Sequence, residues 1–411
     1  MRTVSILLSI IVGVLSAVLF REHILETVSV LYSSFNTYCT NDLNPVTSDD
    51  KVQNRSPEEH TTTTTTTTTS TNMSVPRAIR KAFLAVEQAE GAGARVRRSI
   101  GTPQLKNFSP FLMLDHFSVA PGAGFPDHPH RGQEVSINSP HPLFSHPIPH
   151  PPFAGTPAKL MPSKQSLFLT NDQSQTITYM LSGAFDHEDF AGNKGTIQAG
   201  DLQFMTAGRG IVHSEMPAQN ADGSANTGLQ LWVDLPRRLK ACEPRYRDLR
   251  ASEIPAAEAD GGKVRVKVIS GESHGVRSLQ DLAYTPVWLL DVTVGPGGKV
   301  AQPVPAGFNT FVYTLEGTAL FGEEKRRVPQ YHNVVFELEG DVIVAENEGA
   351  EDARFVIVAG QVLDQPVVQY GPFVVTSREE VMQAMFDYQT NSNGFERANG
   401  WASEIGKSMA H

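Results

Sequence analysis

Gly122-Ala123-Gly124-Phe125-Pro126-Asp127-His128-Pro129-His130-Arg131-Gly132-Gln133-Glu134 sets two imidazoles two residues apart, and His213-Ser214-Glu215 sets an imidazole and a carboxylate at the same spacing. Successive side chains of a β-strand alternate faces, so residues i and i+2 point the same way. Two such pairs, joined by a folded sheet, present three imidazoles and one carboxylate to a common point. That set suits a first-row transition metal, with iron(II) the first choice. Around an octahedral ion, four protein ligands leave two positions open, as the binding of O₂ or a substrate requires. Hydrogen-bonded core histidines are the alternative reading of the same residues.

Working outward, the chain reads as all-β. With 411 residues it exceeds one ordinary domain, so two are expected, and 40% hydrophobic residues suffice for real cores. Its 33 Gly and 27 Pro favour many turns. Short runs such as Gly228-Leu229-Gln230-Leu231-Trp232-Val233, Lys263-Val264-Arg265-Val266-Lys267-Val268-Ile269 and Phe308-Asn309-Thr310-Phe311-Val312-Tyr313 carry the period of two that marks half-buried strands. Pro236 to Pro244 reads as the passage between two β domains. Near the end, Thr376-Ser377-Arg378-Glu379-Glu380 has the form of a capping box that opens a helix, with Val381, Met382, Met385 and Phe386 as its apolar face, docked on a barrel. A formal charge of −10 speaks against direct nucleic-acid binding, which needs clustered Lys and Arg. The two cysteines, Cys39 and Cys242, lie in unrelated regions and imply no disulfide framework.

The first 72 residues differ from the rest. Val4 to Phe20 is an uncharged, mostly apolar run between Arg2 and Arg21, a little short for a comfortable membrane span and long for a signal-peptide core. Thr61 to Thr69 is an unbroken threonine tract, the composition of a disordered linker. Two readings stand. Either residues 1–72 are a membrane anchor and stalk, or Met73 is the working start and the protein resides in cytoplasm and nucleus.

The surroundings of the two ligand pairs match a known pattern. Gly122, His128, His130 and Glu134 give G-x5-H-x-H-x3-E, which resembles the first metal motif of the cupin superfamily. The Gly-rich turn Ala207-Gly208-Arg209-Gly210 ahead of His213 resembles the second. Over about residues 82–407 the chain resembles the pirins, which are two-domain cupins. The matching stretches include Gly91 to Gly101, Gly124 to Gly132, His187-Glu188-Asp189-Phe190, Met205 to Ile211, Gly228 to Val233 and Tyr370-Gly371-Pro372-Phe373-Val374. The resemblance implies two cupin-type antiparallel β-barrels with a C-terminal helix: a metal-binding barrel over 73–236 and a second barrel over 241–411. It also implies one Fe(2+) per chain, held by His128, His130, His213 and Glu215, with other divalent first-row metals possible in its place. The second barrel has Gln302-Pro303-Val304-Pro305 where ligands would stand, and His332 there reads as structural.

One block departs from the family pattern. Val135 to Gln175 intervenes between the H-P-H-R-G segment and Thr176-Ile177-Thr178-Tyr179. It is proline-dense from Ser139 to Pro151, interleaved with His141, His146 and His150, and no central strand runs through such a stretch. Val135-Ser136 can be encoded by GTGAGT and Gln175 by CAG, the two ends of an intron. The block therefore reads as a translated, retained intron. A tolerated interaction loop is the other explanation.

Two functions follow from the resemblance. The first is dioxygenation of a flavonol such as quercetin with O₂ and release of carbon monoxide, with Glu215 taking the hydroxyl proton either as a loosened ligand or through water. Phe125, Phe204, Met205 and Met216 then line an apolar pocket or fill the core. The second is an iron-dependent redox-sensing transcription co-regulator that meets a transcription-factor partner through its surface; a monomer is expected under either. Arg95, Arg97 and Arg98 form a basic cluster that such a partner could meet, or else a solvated face.

Overall fold

The computed structural model describes residues 74–90, 93–131, 175–218, 220, 222–279, 283–371 and 373–409. The expectations for residues 1–72, and for the 135–175 block apart from the backbone of Gln175, fall outside the described residues. Among the latter, no helix is long and apolar enough to cross a membrane.

The first half of the chain runs through β1 (Ile79–Leu84), β2 (Glu87–Glu90), β3 (Ala94–Ile100), β4 (Phe111–Val119), β5 (Phe125–His130), β6 (Gln175–Ser182), β7 (Ala184–Asp189), β8 (Lys194–Gln198), β9 (Leu202–Thr206), β10 (Ile211–Pro217), β11 (Asn226–Val233) and β12 (Arg245–Leu249). The second runs through β13 (Ala256–Ala259), β14 (Val264–Ser270), a short hairpin of β15 (Glu272–Ser273) and β16 (Val276–Arg277), β17 (Val287–Val294), β18 (Lys299–Pro303), β19 (Phe308–Glu316), β20 (Thr318–Phe321), β21 (Arg326–Pro329), β22 (His332–Phe336), β23 (Val342–Glu346), β24 (Ala353–Gln361), β25 (Val368–Tyr370) and β26 (Phe373–Val375). A single α-helix among the described residues, α1 (Arg378–Thr390), follows.

Each barrel is a seven-stranded sheet facing a four-stranded one. The first has the orders β12-β9-β6-β11-β4-β3-β2 and β5-β10-β7-β8, the second β1-β22-β19-β24-β17-β14-β13 and β18-β23-β20-β21. The alternation of buried and less buried residues along β7 and β18 gives each small sheet one core face. The two large sheets pack on each other. Ile177, Tyr179, Leu202, Phe204 and Leu231 of the first meet Leu289, Phe311, Tyr313, Val356 and Val358 of the second in one buried cluster.

The edge strands are exchanged relative to the sequence boundaries. The 73–236 span contains β1, yet β1 pairs with β22 of the second barrel, Ala82 opposite Val334. The 241–411 span contains β12, yet β12 pairs with β9 of the first, Tyr246 opposite Met205. Pro236 to Pro244 marks where the chain turns; which sheet edge offers unpaired N–H and C=O groups is decided elsewhere.

The helix docks on a different stripe from the one expected. Ser377 caps it by accepting from the Glu380 N–H at 3.2 Å, and the Glu380 carboxylate accepts from the Thr376 N–H at 2.7 Å. Val381, Ala384 and Asp387 are buried, while Met382 and Phe386 are 62% and 58% exposed. Positions 381, 384, 385 and 388 share one face at helical spacing, and 382 and 386 lie on the next. The buried face is fixed by Asp387, which pairs with Arg131 directly after β5.

Candidate metal centre

Strand β5 lies at the edge of its sheet, where the two prolines of Phe-Pro-Asp-His-Pro-His do not break an internal ladder. It pairs antiparallel with β10, setting His130 opposite Ile211 and His128 opposite His213. The register shifts before Glu215, which lies opposite Phe125, so Pro126 and Asp127 together oppose Ser214. Such a bulge re-aims side chains. Here the carbonyl of Pro126 meets His128 Nδ1 at 2.6 Å. Gly124, at φ 155°, leads into the strand, and a Cβ there would lie 2.9 Å from Met216.

The sheet brings His128, His130 and His213 together. Their candidate ligand atoms all lie within 4.8 Å of one another, and the three rings are mutually 4.5–4.6 Å apart. All three are buried. Glu215 stands beside them, Oε2 at 4.0 Å from His213 Nε2, and Gln230 Nε2 donates to that oxygen at 3.2 Å. Burial pushes His128 down to about 4 and His213 well below its ordinary value, so both rings are neutral at pH 7. Burial also pushes the Glu215 carboxyl up to about 7, against the opposing donation from Gln230.

These groups fit a metal ion. The Pro126 carbonyl can only accept, so His128 carries its proton on Nδ1 and a lone pair on Nε2. That lone pair faces His213 Nε2 at 3.1 Å. Neutral imidazoles are the donor form a first-row metal requires, and a cation beside Glu215 would offset the burial that resists its ionisation.

A further set of residues, to none of which the sequence assigned a role in the site, surrounds the cluster. Tyr246 Oη lies 2.9 Å from His213 Nδ1, and its ring stacks on His187 at 5.6 Å with an interplanar angle of 8°. His187, opposite Glu215 across β7 and β10, meets Asp248 Oδ2 at 3.2 Å, and Gln203 donates to Asp248 Oδ1 at 3.4 Å. Burial and the nearby carboxylates of Asp189, Glu215 and Asp248 raise the Tyr246 phenol well above its ordinary value, so it stays protonated. On the far side, Arg131 ties the end of β5 to the C-terminal region through Asp387, the Asn393 carbonyl and the face of Phe395 at 4.7 Å. A Cβ at Gly210, φ 150°, would lie 3.1 Å from the Phe395 ring.

Other expectations sort as follows. Phe125, Met205 and Met216 are buried in the first barrel, but Phe204 packs between the two barrels and cannot line a site inside the first. Its position on β9 is one residue out of phase with Gln203 and Met205. The Arg95–Arg97–Arg98 cluster is engaged within the molecule. Arg95 and Arg97 both bind Glu87, and Arg98 is a buried partner of Asp115 at 2.7 Å. His332 is half-buried with Nδ1 at 2.9 Å from the Gln330 carbonyl, and Gln302 donates to the backbone carbonyls of Glu272 and Pro303.

Comparison with known proteins agrees with this architecture. A family model described as Pirin matches residues 170–233, and one described as the Pirin C-terminal cupin domain matches residues 289–394. A pirin-like protein of Solanum lycopersicum is 44% identical over 82% of this chain and 99% of its own length. Pirin of Homo sapiens is 40% identical over 81% of this chain and 100% of its own. Among solved structures, a quercetin 2,3-dioxygenase from Acinetobacter baumannii is similar with a TM-score of 0.62 and 26% identity, covering 77% of this chain and 98% of that one.

Proposed function

This chain belongs to the pirin family, and from that premise we propose that its first barrel is a mononuclear iron(II) dioxygenase centre acting on a flavonol such as quercetin with O₂. The observation that carries the reading is the buried cluster of His128, His130 and His213 with Glu215 beside it. The likeness to a protein named quercetin 2,3-dioxygenase supports the substrate class. His128, His130 and His213 would hold the ion, with Glu215 as the fourth protein ligand. When bound, the metal supplies a Lewis acid that lowers the pKa of a bound hydroxyl and a centre for O₂ chemistry. Glu215 takes the flavonol hydroxyl proton at its carboxylate. Without a cation, burial holds this carboxyl at about 7; a cation beside it would favour the ionised form that accepts the proton. Gln230, donating to Oε2 and also to Thr178 Oγ1 at 3.3 Å, orients the carboxylate. Both side chains are buried.

The test is to load the full-length chain with iron(II) anaerobically and follow O₂ uptake and carbon monoxide release with quercetin. Turnover that requires iron is expected. Stoichiometric iron without oxidation of any flavonol overturns the substrate assignment.

A further inference from the structure

An imidazole offers a metal one of its two nitrogens, and the hydrogen bond at the other decides which. For His128 the partner is the Pro126 carbonyl, an acceptor only, so the proton is fixed on Nδ1 and Nε2 faces the cluster. For His213 the partner is the Tyr246 hydroxyl at 2.9 Å, which can accept or donate. This difference matters because the two Nε2 atoms lie 3.1 Å apart. Without a cation, that spacing is satisfied when His213 carries its proton on Nε2 and donates to His128. Tyr246 then donates its O–H to His213 Nδ1. With a cation shared by the cluster, both Nε2 atoms must present lone pairs, and the His213 proton belongs on Nδ1. The hydroxyl then serves as acceptor.

We propose that Tyr246 is a positioning residue of the metal centre, a hydroxyl rotor that lets His213 change tautomer between the metal-free and metal-bound states while its ring stays in place. The inference rests on the metal reading of the cluster given above. Tyr246 is itself well held. Its ring stacks on His187, which Asp248, two residues further along the same strand, anchors at 3.2 Å. The preceding residue, Arg245, lies over the Tyr284 ring of the second barrel at 4.1 Å. The strand that carries this control, β12, lies in the chain beyond β5 and β10 and enters that barrel's large sheet by pairing with β9. A carbonyl in place of the hydroxyl would lock one tautomer, and a phenylalanine would leave His213 Nδ1 without a partner in either state.

The experiment uses full-length protein and zinc(II) as a diamagnetic probe. Tyr246→Phe keeps the ring and its stacking on His187. Its zinc affinity, measured by chelator competition, is expected to fall about 10–100-fold, the usual effect of losing a partner behind a ligand. The unfolding midpoint of the metal-free protein should change little. In ¹⁵N-histidine-labelled wild-type protein, His213 should carry its proton on Nε2 without zinc and on Nδ1 with zinc. Equal zinc affinity in the two proteins, to within twofold, overturns the proposal, and so does the same His213 tautomer in both states of the wild type. The wild-type spectra decide the matter alone if Tyr246→Phe does not fold. A wild-type protein that binds no zinc and no iron fails earlier, because it removes the metal reading itself.

Discussion

The two barrels share a strand order and differ in what they turn inward. In the first, β5 and β10 set His128 opposite His213 and His130 opposite Ile211. In the second, the corresponding strands β18 and β23 set Gln302 opposite Ile343 and Val300 opposite Ala345. Val300, Ile343 and Ala345 belong to a continuous apolar core with Val266, Leu290, Phe321 and Phe355. The same small sheet thus frames either a polar, buried histidine cluster or a largely apolar interior. Topology sets where a pair of facing residues will lie; the side chains alone decide whether chemistry happens there. Burying three imidazoles and a carboxylate carries a desolvation cost that a bound cation would offset, whereas the second barrel gains from burial directly.

That contrast can be broken or sharpened by experiment. The largest effect is expected at the ligands. His128→Ala or His213→Ala should abolish iron binding, leaving iron near zero from about one per chain by elemental analysis, while His332→Ala in the second barrel leaves it unchanged. Iron retained in both first-barrel variants would sink the assignment. Next, Glu215→Gln should lower quercetin turnover by roughly 10²–10⁴-fold, the range for losing a general base. An undiminished rate would remove Glu215 from the proton transfer. If neither flavonols nor related enediols react, but ferrous and ferric forms bind a protein partner differently, the co-regulator reading replaces the enzymatic one.

A structural prediction follows in size. Arg131→Ala strips the buried Asp387 of its ion-pair partner at the junction of β5 and the C-terminal region. Removing one member of a buried pair costs about 3–5 kcal/mol, read from denaturant midpoints. A loss under about 1 kcal/mol would show that the junction holds without it.

The pH dependence of the metal-free protein gives a comparable but opposed pair of effects. His128 and His213, held neutral in the fold, take up protons in the unfolded chain near 6.5, so they make stability fall as pH drops below that value. Glu215 acts the other way. Its carboxyl, at about 7 in the fold and 4.5 unfolded, lowers stability as pH rises between those values. Glu215→Gln should therefore gain on the wild type from pH 4.5 to 7, by ~3 kcal/mol, and hold that gain above pH 7. A difference that is flat with pH would mean the carboxyl is not desolvated. The smallest effect belongs to the second barrel, where Ile343→Val should cost about 0.5–1.5 kcal/mol and leave iron content untouched.

The site's legibility in the sequence was uneven, for physical reasons. His128, His130, His213 and Glu215 stand at i and i+2, and the period of a strand is enough to put each pair on one face. Tyr246 and Asp248 have the same spacing, in Arg-Tyr-Arg-Asp-Leu, yet nothing local says which sheet that strand will join. The exchange of β1 and β12 is invisible for the same cause: strand pairing is a long-range choice, and alternation specifies a face without specifying a neighbour. On the helix, apolar residues at 381, 382, 385 and 386 span more than one stripe, and the buried Asp387–Arg131 pair selected between them.

The placement of β1 also bears on how the protein is made. Arg77, just ahead of it, donates to the carbonyl of Gly340, 263 residues further along the chain. At ~5–20 residues per second, a ribosome needs roughly 15–50 s to cover that distance. Throughout that interval the early strand has no partner, although the first barrel's own strands are already available. A nascent chain halted between the barrels would display an unpaired β1 beside a finished domain, a template for pairing with its neighbours on a polysome. Completion of the second barrel, which supplies β22, is the event that retires it.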